Sequence, residues 1–478
     1  MSASGPACEV FYAAGAFHRS GGCTQAVVVN PATAEPAGAV TLCSHDDLDL
    51  ALRSARQAQP RWAASSLEER RQLLQRLHDA LAARGEAVVA SLAREIGCPV
   101  WLGRSMQVPM ALKGLILAAE GLAQVRWQET IGNGVVERVP VGVVAAITPW
   151  NFPLHQIAAK VAGALAAGCA VVIKPSEVAP GAALAFVEAV HEAGVPAGLV
   201  NLVWGGADIG AALVEDERVD QVSFTGSTAV GRRVMAAAAA RLARVTLELG
   251  GKSAAVLLDD ADLDVALPVV LRMALANSGQ ACVSQSRVVV PRARLAEVQQ
   301  RLVSLCDDWP VGDPLDEATR LGPVATGAQL AQVDRMVRHA IDQGAQVLCG
   351  GPGPLPSQAR GFYVAPTLLG GVHPGMAVAQ QEVFGPVLAV LAADDDADAV
   401  RLANATAYGL SGAVWSCDVA RAAAVARQMR TGQVVINGAA QNLATPFGGW
   451  GHSGFGRENG RFGIEECLQY RALHGLAA

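Results

Sequence analysis

Three short strings place reactive side chains in settings that could support chemistry. In Asn277-Ser278-Gly279-Gln280-Ala281-Cys282 a thiol follows small and polar residues, and the glycine lets a ligand approach the backbone closely. A thiol becomes a useful nucleophile when its thiolate is reachable and stabilised, although a buried cysteine acting as a small apolar residue is the commoner case. In Leu247-Glu248-Leu249-Gly250-Gly251-Lys252 an acid sits between two leucines. Burial there would raise its pKa, as a general base near neutral pH requires; a solvent-facing residue at the end of an alternating strand fits the same string. Thr148-Pro149-Trp150-Asn151-Phe152-Pro153 brackets Asn151 with prolines, which fix the backbone and hold the amide in place. That amide could donate to a developing oxyanion, or it could simply make a turn.

Two more strings suit a nucleotide. Val172-Ile173-Lys174-Pro175-Ser176-Glu177 puts Lys174 and Glu177 just past an apolar strand, where open α/β sheets hold ribose hydroxyls, though surface exposure explains them too. Phe224-Thr225-Gly226-Ser227-Thr228-Ala229-Val230-Gly231 runs from strand into helix with Gly226 and Ser227 at the helix start, where free backbone amides suit a pyrophosphate. It departs from the Gly-x-Gly-x-x-Gly fingerprint.

The elements that must carry these strings read as an α/β protein. From Asp46 to Gly97 the apolar spacing is helical, with Ser66 and Glu69 forming a capping box, and a second helical stretch covers Met106 to Leu122. Val135 to Ile147 is rich in β-branched residues and reads as extended, with a bend or edge at Pro140-Val141-Gly142. Short strands at Val171–Ile173, Leu199–Val203, Gln221–Phe224 and Ala254–Leu258 then alternate with alanine-rich helices, the rhythm of a parallel sheet with crossovers. A second α/β unit follows to about Ala440, with strands at Arg287–Val290, Val387–Leu391, Ala413–Ser416 and Val434–Ile436, before the glycine-rich stretch Pro446 to Gly460.

A chain of 478 residues exceeds one hydrophobic core and calls for two or three units. Lys and Arg total 37 against 43 acids, and no basic run is present, so nucleic acid is not an expected partner. The longest apolar run, Val161 to Ile173, is shorter than the roughly 20 residues of a membrane span, and Met1 to Phe17 lacks the form of a secretory signal. The ten cysteines are scattered, without Cys-x-x-Cys or zinc spacing; a cytoplasmic protein without structural metal is expected.

In order and spacing the five strings together resemble the aldehyde dehydrogenase superfamily over nearly the whole chain. Glu382-Val383-Phe384-Gly385-Pro386 and Pro446-Phe447-Gly448-Gly449 are similar to further motifs of that family. The resemblance implies a Rossmann-type nucleotide domain (1–120 and 140–249), an α/β catalytic domain (250–445) and a small β oligomerisation arm (121–139 and 463–478), assembling as a homodimer or homotetramer. It implies that Cys282 attacks the aldehyde, that Asn151 and the Cys282 amide hold the oxyanion, and that Glu248 activates the water that hydrolyses a thioester. It also implies an NAD site: Lys174 and Glu177 at the adenosine ribose, Gly226 and Ser227 near the pyrophosphate, Glu382 on the nicotinamide ribose, Phe384 beside the nicotinamide, and Trp150 lining the cleft. An acid at Glu177 would repel a 2′-phosphate, which favours NAD over NADP.

Two alternatives remain open at the level of sequence. In a CoA-acylating semialdehyde dehydrogenase, CoA resolves the thioester, but Glu248 favours water; a non-catalytic binding protein on the same scaffold would be expected to lack Cys282 or Glu248. Departures from the family pattern fall mostly around the substrate. Trp450-Gly451-His452 stands where relatives often carry a lysine, small Ala159 implies a roomier tunnel, and His155, Gln156 and Gln441 point to a substrate with a polar group beyond the aldehyde.

Overall fold

In the first half of the chain, five-residue runs buried at every position alternate with helices, one of which is itself buried throughout, a pattern that puts these strands in the middle of a layered structure. The computed structural model describes residues 7–476 apart from 354, 356 and 359. Among the described residues the strands assemble into two large sheets, each mainly parallel, and two three-stranded ones.

The first large sheet is centred on β1 (Val143–Ile147), β2 (Ala170–Lys174), β3 (Gln221–Thr225) and β4 (Arg244–Glu248). Across it the order is β4, β3, β1, β2, all parallel, so the direction in which strands are added reverses between β1 and β3 and opens a crevice at their C-terminal ends. α1 (Val108–Gly121) packs on α2 (Pro153–Ala167), which crosses between β1 and β2 and is buried along its entire length. Alanine and glycine make that possible, because their small side chains let a helix lie close to its neighbours. α3 (Ala207–Glu215) and α4 (Thr228–Ala240) flank the crevice.

β5 (Ala254–Leu257) departs from the expected rhythm. It belongs to the second large sheet, paired with Arg287–Pro291 on one side and Ser411–Trp415 on the other. The reason lies in Leu249 to Ser253, which carry the chain out of the first sheet; β5 then buries Ala254 and Val256 in one core and Ala255 and Leu257 in another. α5 (Leu263–Leu275), capped by Asp262, leads from β5 to the loop bearing Cys282. Strands that a single-sequence reading passed over include the N-terminal pair Val10–Ala13 and Ala16–Arg19, and Thr367–Gly370.

The extended segment around residue 140 divides as expected, with Gly134–Pro140 in a three-stranded sheet and β1 in the first large one. Leu468–His474 and Gln128–Ile131 pair antiparallel on either side of Gly134–Pro140. The segment Val100–Gln124, rather than Val161–Ile173, is the stretch long and apolar enough by composition to cross a membrane. Here it is a core helix carrying Arg104, Lys113 and Glu120, and its α1 part packs against α2 and the helices Leu67–Ala82 and Gly460–Glu466.

Candidate active site

Strand register brings the sequence motifs together. Ile147 lies opposite Lys174 on one side and Phe224 on the other, and Thr225 lies opposite Glu248. Four parallel strands therefore end on one line, and Thr148, Pro175, Gly226 and Leu249 leave the sheet at the same edge. That edge borders a cavity of about 470 Å³, lined by Trp150, Asn151, Lys174, Glu177, Gly226, Ser227, Glu248, Cys282, Glu382 and Phe384 among others. All ten residues singled out from sequence thus meet at one site.

Cys282 is half-buried on a loop whose path is set by three successive left-handed residues, Asn277, Ser278 and Gly279, with φ of 52°, 57° and 72°. A side chain at Gly279 would meet the Gly385 carbonyl oxygen at 2.1 Å, so the position is closed to anything larger. Hydrogen bonds offset the strain. Ser278 Oγ donates to the Gly322 carbonyl at 2.8 Å, Gln280 Nε2 donates to the Asn277 carbonyl at 3.0 Å, and the Ala325 amide donates to Gln280 Oε1 at 2.8 Å. The double glycine after Glu248 serves the same loop, since a Cβ at Gly251 would lie 2.4 Å from the Cys282 carbonyl oxygen.

Asn151 sits just before the N-terminus of α2, and its amide is anchored from both ends. Its Nδ2 donates to the Gln280 carbonyl at 3.0 Å, leaving the second amide hydrogen free. Its backbone carbonyl accepts from Gln107 Nε2 at 3.0 Å and from Asn277 Nδ2 at 2.9 Å. A turn-forming role alone would not require this buried network.

Glu248 is only 2% exposed, which removes the solvent-facing reading, and neither carboxylate oxygen has a hydrogen-bond partner. Burial, followed by the nearby Glu458 charge, raises its pKa well above the usual carboxylate range, while Lys160 and Arg457 oppose the shift. Lys160 Nζ bonds Glu458 Oε1 at 2.5 Å and Ser223 Oγ at 3.1 Å, a buried ion pair beside the unpartnered acid. Burial also pushes the Cys282 thiol up, with the Glu382 and Glu248 carboxylates adding to it. Glu382 accepts from the Gly251 amide at 3.1 Å, and burial lifts its pKa to about 7.

The cavity continues into a second one of about 550 Å³, sharing Ile147, Lys174, Glu177, Phe224 and Val230 and ending between α3 and α4 at Gly210, Val214 and Val234. Together they form an elongated cleft. Lys174 Nζ lies 3.9 Å from Glu177 Oε2 and donates to the Pro175 carbonyl at 3.2 Å. Ser227 caps α4, its Oγ accepting from the Val230 amide at 3.4 Å. Phe384 and Trp150 meet edge to face with ring centroids 5.5 Å apart. Phe384 has φ of 57°, rare for a bulky residue, and Gln329 Nε2 holds it by donating to its carbonyl at 2.8 Å.

Sequence reasoning missed Lys160, Glu458, Gln329 and the α3 face. Lys160 was visible as a lone charge among apolar residues, and a buried charge calls for a partner; Glu458 lay 298 residues away with nothing local to connect it. Of the residues expected to give the tunnel polarity, Gln156 accepts from Thr225 Oγ1 at 3.1 Å, His155 is buried near the Lys160–Glu458 pair, and only Gln441 lines a separate cavity. Ala159 is buried within α2.

This fold, with a half-buried thiol, an unpartnered acid and an anchored amide beside a nucleotide-shaped cleft, defines a class of oxidoreductase. The family model described as aldehyde dehydrogenase matches residues 17–473. A 3-succinoylsemialdehyde-pyridine dehydrogenase of a Pseudomonas species is 43% identical, over 97% of this chain and 98% of its own. Geranial dehydrogenase of Castellaniella defragrans is 40% identical over 94% and 95%. Among solved structures, a mutant aldehyde dehydrogenase C of Pseudomonas syringae complexed with NAD+ and octanal superposes with a TM-score of 0.97 at 42% identity, covering 98% of this chain and 97% of that one. The chain belongs to the aldehyde dehydrogenase family and oxidises an aldehyde to a carboxylic acid.

Proposed function

We propose that this protein is a hydrolytic, NAD-using aldehyde dehydrogenase in which Cys282 carries the acyl group and Glu248 delivers water to it. The observation that carries the reading is Glu248, a fully buried carboxyl without partners in the same cavity as Cys282. Cys282 Sγ bonds to the aldehyde carbon, and the thiol proton has Glu248 as a nearby acceptor. The carbonyl oxygen becomes an oxyanion that receives the free hydrogen of Asn151 Nδ2 and the Cys282 amide. NAD, when bound, supplies the acceptor for the hydride that leaves the former aldehyde carbon. The resulting thioester on Cys282 is attacked by a water whose proton Glu248 takes; the carboxylic acid departs and the thiol is restored. The Lys160–Glu458 pair is placed to pass that proton onward.

The cleft fits the dinucleotide. Its lining runs from the α3–α4 gap to Cys282, its volume is in the range of ordinary cofactor sites, and the first amides of α4 would suit a pyrophosphate. Lys174 and Glu177 would hold the adenosine ribose, Gly226 and Ser227 the pyrophosphate, and Glu382 the nicotinamide ribose, with Phe384 and Trp150 enclosing the ring. Glu177 disfavours a 2′-phosphate.

The substrate enters from the other side. Asn277 and Gln107, which hold Asn151, adjoin Ala276 and Met106, and these line a cavity of about 590 Å³ on the far side of the Cys282 loop. Its wide apolar wall suits an extended aldehyde, in keeping with octanal and geranial, named for the relatives. The test is NADH formation from NAD across an aldehyde panel, with and without CoA, using Cys282→Ala as control. Turnover without CoA that vanishes in the variant supports the reading; turnover only with CoA transfers it to the acylating class.

A further inference from the structure

The cavity that opens toward the substrate side is apolar in its walls and basic at its rim. Met106, Met110, Met273, Trp101, Trp415 and Leu443 supply the walls, while the polar lining includes Gln441, Ser105 and Arg272, all exposed. Among the described residues that line it, none is acidic. Arg272 stands in the last turn of α5, one turn or about 6 Å of helix rise before Ala276, at the start of the loop that carries Cys282. Among the described residues its guanidinium has neither a side-chain hydrogen bond nor an ion pair, whereas most other arginines on the surface are engaged with carboxylates or carbonyls. An unpaired guanidinium at the mouth of an apolar tunnel, with two neutral donors in the lining of the same cavity, is complementary to an anion at the far end of an apolar ligand.

We infer that Arg272 is a specificity-determining residue, and that the preferred substrate is an aldehyde with an apolar body and a carboxylate at its distal end. This rests on the proposed function, because the aldehyde must reach Cys282 while its tail lies at the rim. The aldehyde group reacts as in any other substrate; Arg272 acts only on the tail. Its contribution is uniform through the reaction and is therefore read in KM, with kcat unchanged. Methionine side chains in the walls adapt to bodies of differing shape, which leaves the charged end to discriminate.

The test compares two homologous series, straight-chain aldehydes ending in methyl and the same chains ending in carboxylate, in wild type, Arg272→Ala and Arg272→Lys. At the chain length that spans Cys282 to the rim, wild type is expected to favour the carboxylate, and Arg272→Ala to raise KM for that substrate by on the order of tenfold while leaving methyl-ended aldehydes unchanged. Arg272→Lys is expected to recover part of the loss, and added salt to weaken the wild-type preference. An equal carboxylate-to-methyl ratio in wild type and Arg272→Ala at every length overturns the inference. Should methyl-ended aldehydes still turn over through Cys282 in that case, the dehydrogenase reading stands; silence of wild type with both series would defeat that reading instead.

Discussion

Glu248 combines full burial with two unpartnered oxygens, a combination that costs stability and so marks a residue kept for chemistry. Its folded pKa lies above the ordinary 4.5, so the folded protein binds this proton more tightly than the unfolded chain does. Stability from this group is whole below pH 4.5 and is lost as pH rises toward the folded value. Glu248→Gln, which cannot ionise, is expected to melt above wild type by about 1–3 °C at pH 8 and by less at pH 5, as calorimetry would record. The same variant should still form the first equivalent of NADH, more slowly than wild type because the thiol proton loses Glu248 as its acceptor, and then slow by roughly 10²-fold or more in steady state. Asn151→Ala is expected to lower kcat by ~10²–10³ through loss of the oxyanion donor, and to lower the melting temperature as well, because the buried Gln280 carbonyl loses the Nδ2 that donates to it. For the cofactor, Glu177→Gln should strengthen NADP binding relative to NAD, measured as dissociation constants by fluorescence titration. An unchanged ratio would remove Glu177 from cofactor selection.

At the scale of elements, the site depends on where strands end and how loops leave them. That much was legible: Lys174, Gly226 and Glu248 each close an apolar run, and parallel strands in register must bring such termini to one edge. What was not legible was which sheet each strand joins. β5 reads like its predecessors because a strand buried on both faces carries no record of its neighbours, and only the departure at Gly250-Gly251 separates it. The Cys282 loop was equally opaque, since Asn277 and Ser278 give no sign from sequence of their positive φ. Gly279→Ala tests the loop. With φ of 72° and the Gly385 carbonyl in the way, the change should destabilise by more than about 1 kcal/mol and displace Cys282. Expected is a loss of turnover together with slower alkylation of Cys282 by iodoacetamide; unaltered alkylation would show that the loop does not depend on this turn.

Across the whole molecule, the pairing of Gly134–Pro140 with Leu468–His474, more than 300 residues on, lay beyond any local reading. Contacts of that range leave no periodic trace. The three-stranded sheet ends in open edges, with Ile131, Tyr470 and Leu476 exposed beside them, a surface suited to another copy of the chain. Light scattering is expected to give a mass of two or four times 49.2 kDa, and deletion of residues 468–478 to yield smaller or aggregated species. The central claim, that Cys282 carries the acyl group and Glu248 releases it, is tested most directly by mass spectrometry of Glu248→Gln mixed with aldehyde and NAD, then digested. The account predicts an acyl mass increment on the peptide containing Cys282, absent without NAD and discharged far faster in wild type. No increment there despite a full first equivalent of NADH, or an increment on another residue, would contradict it.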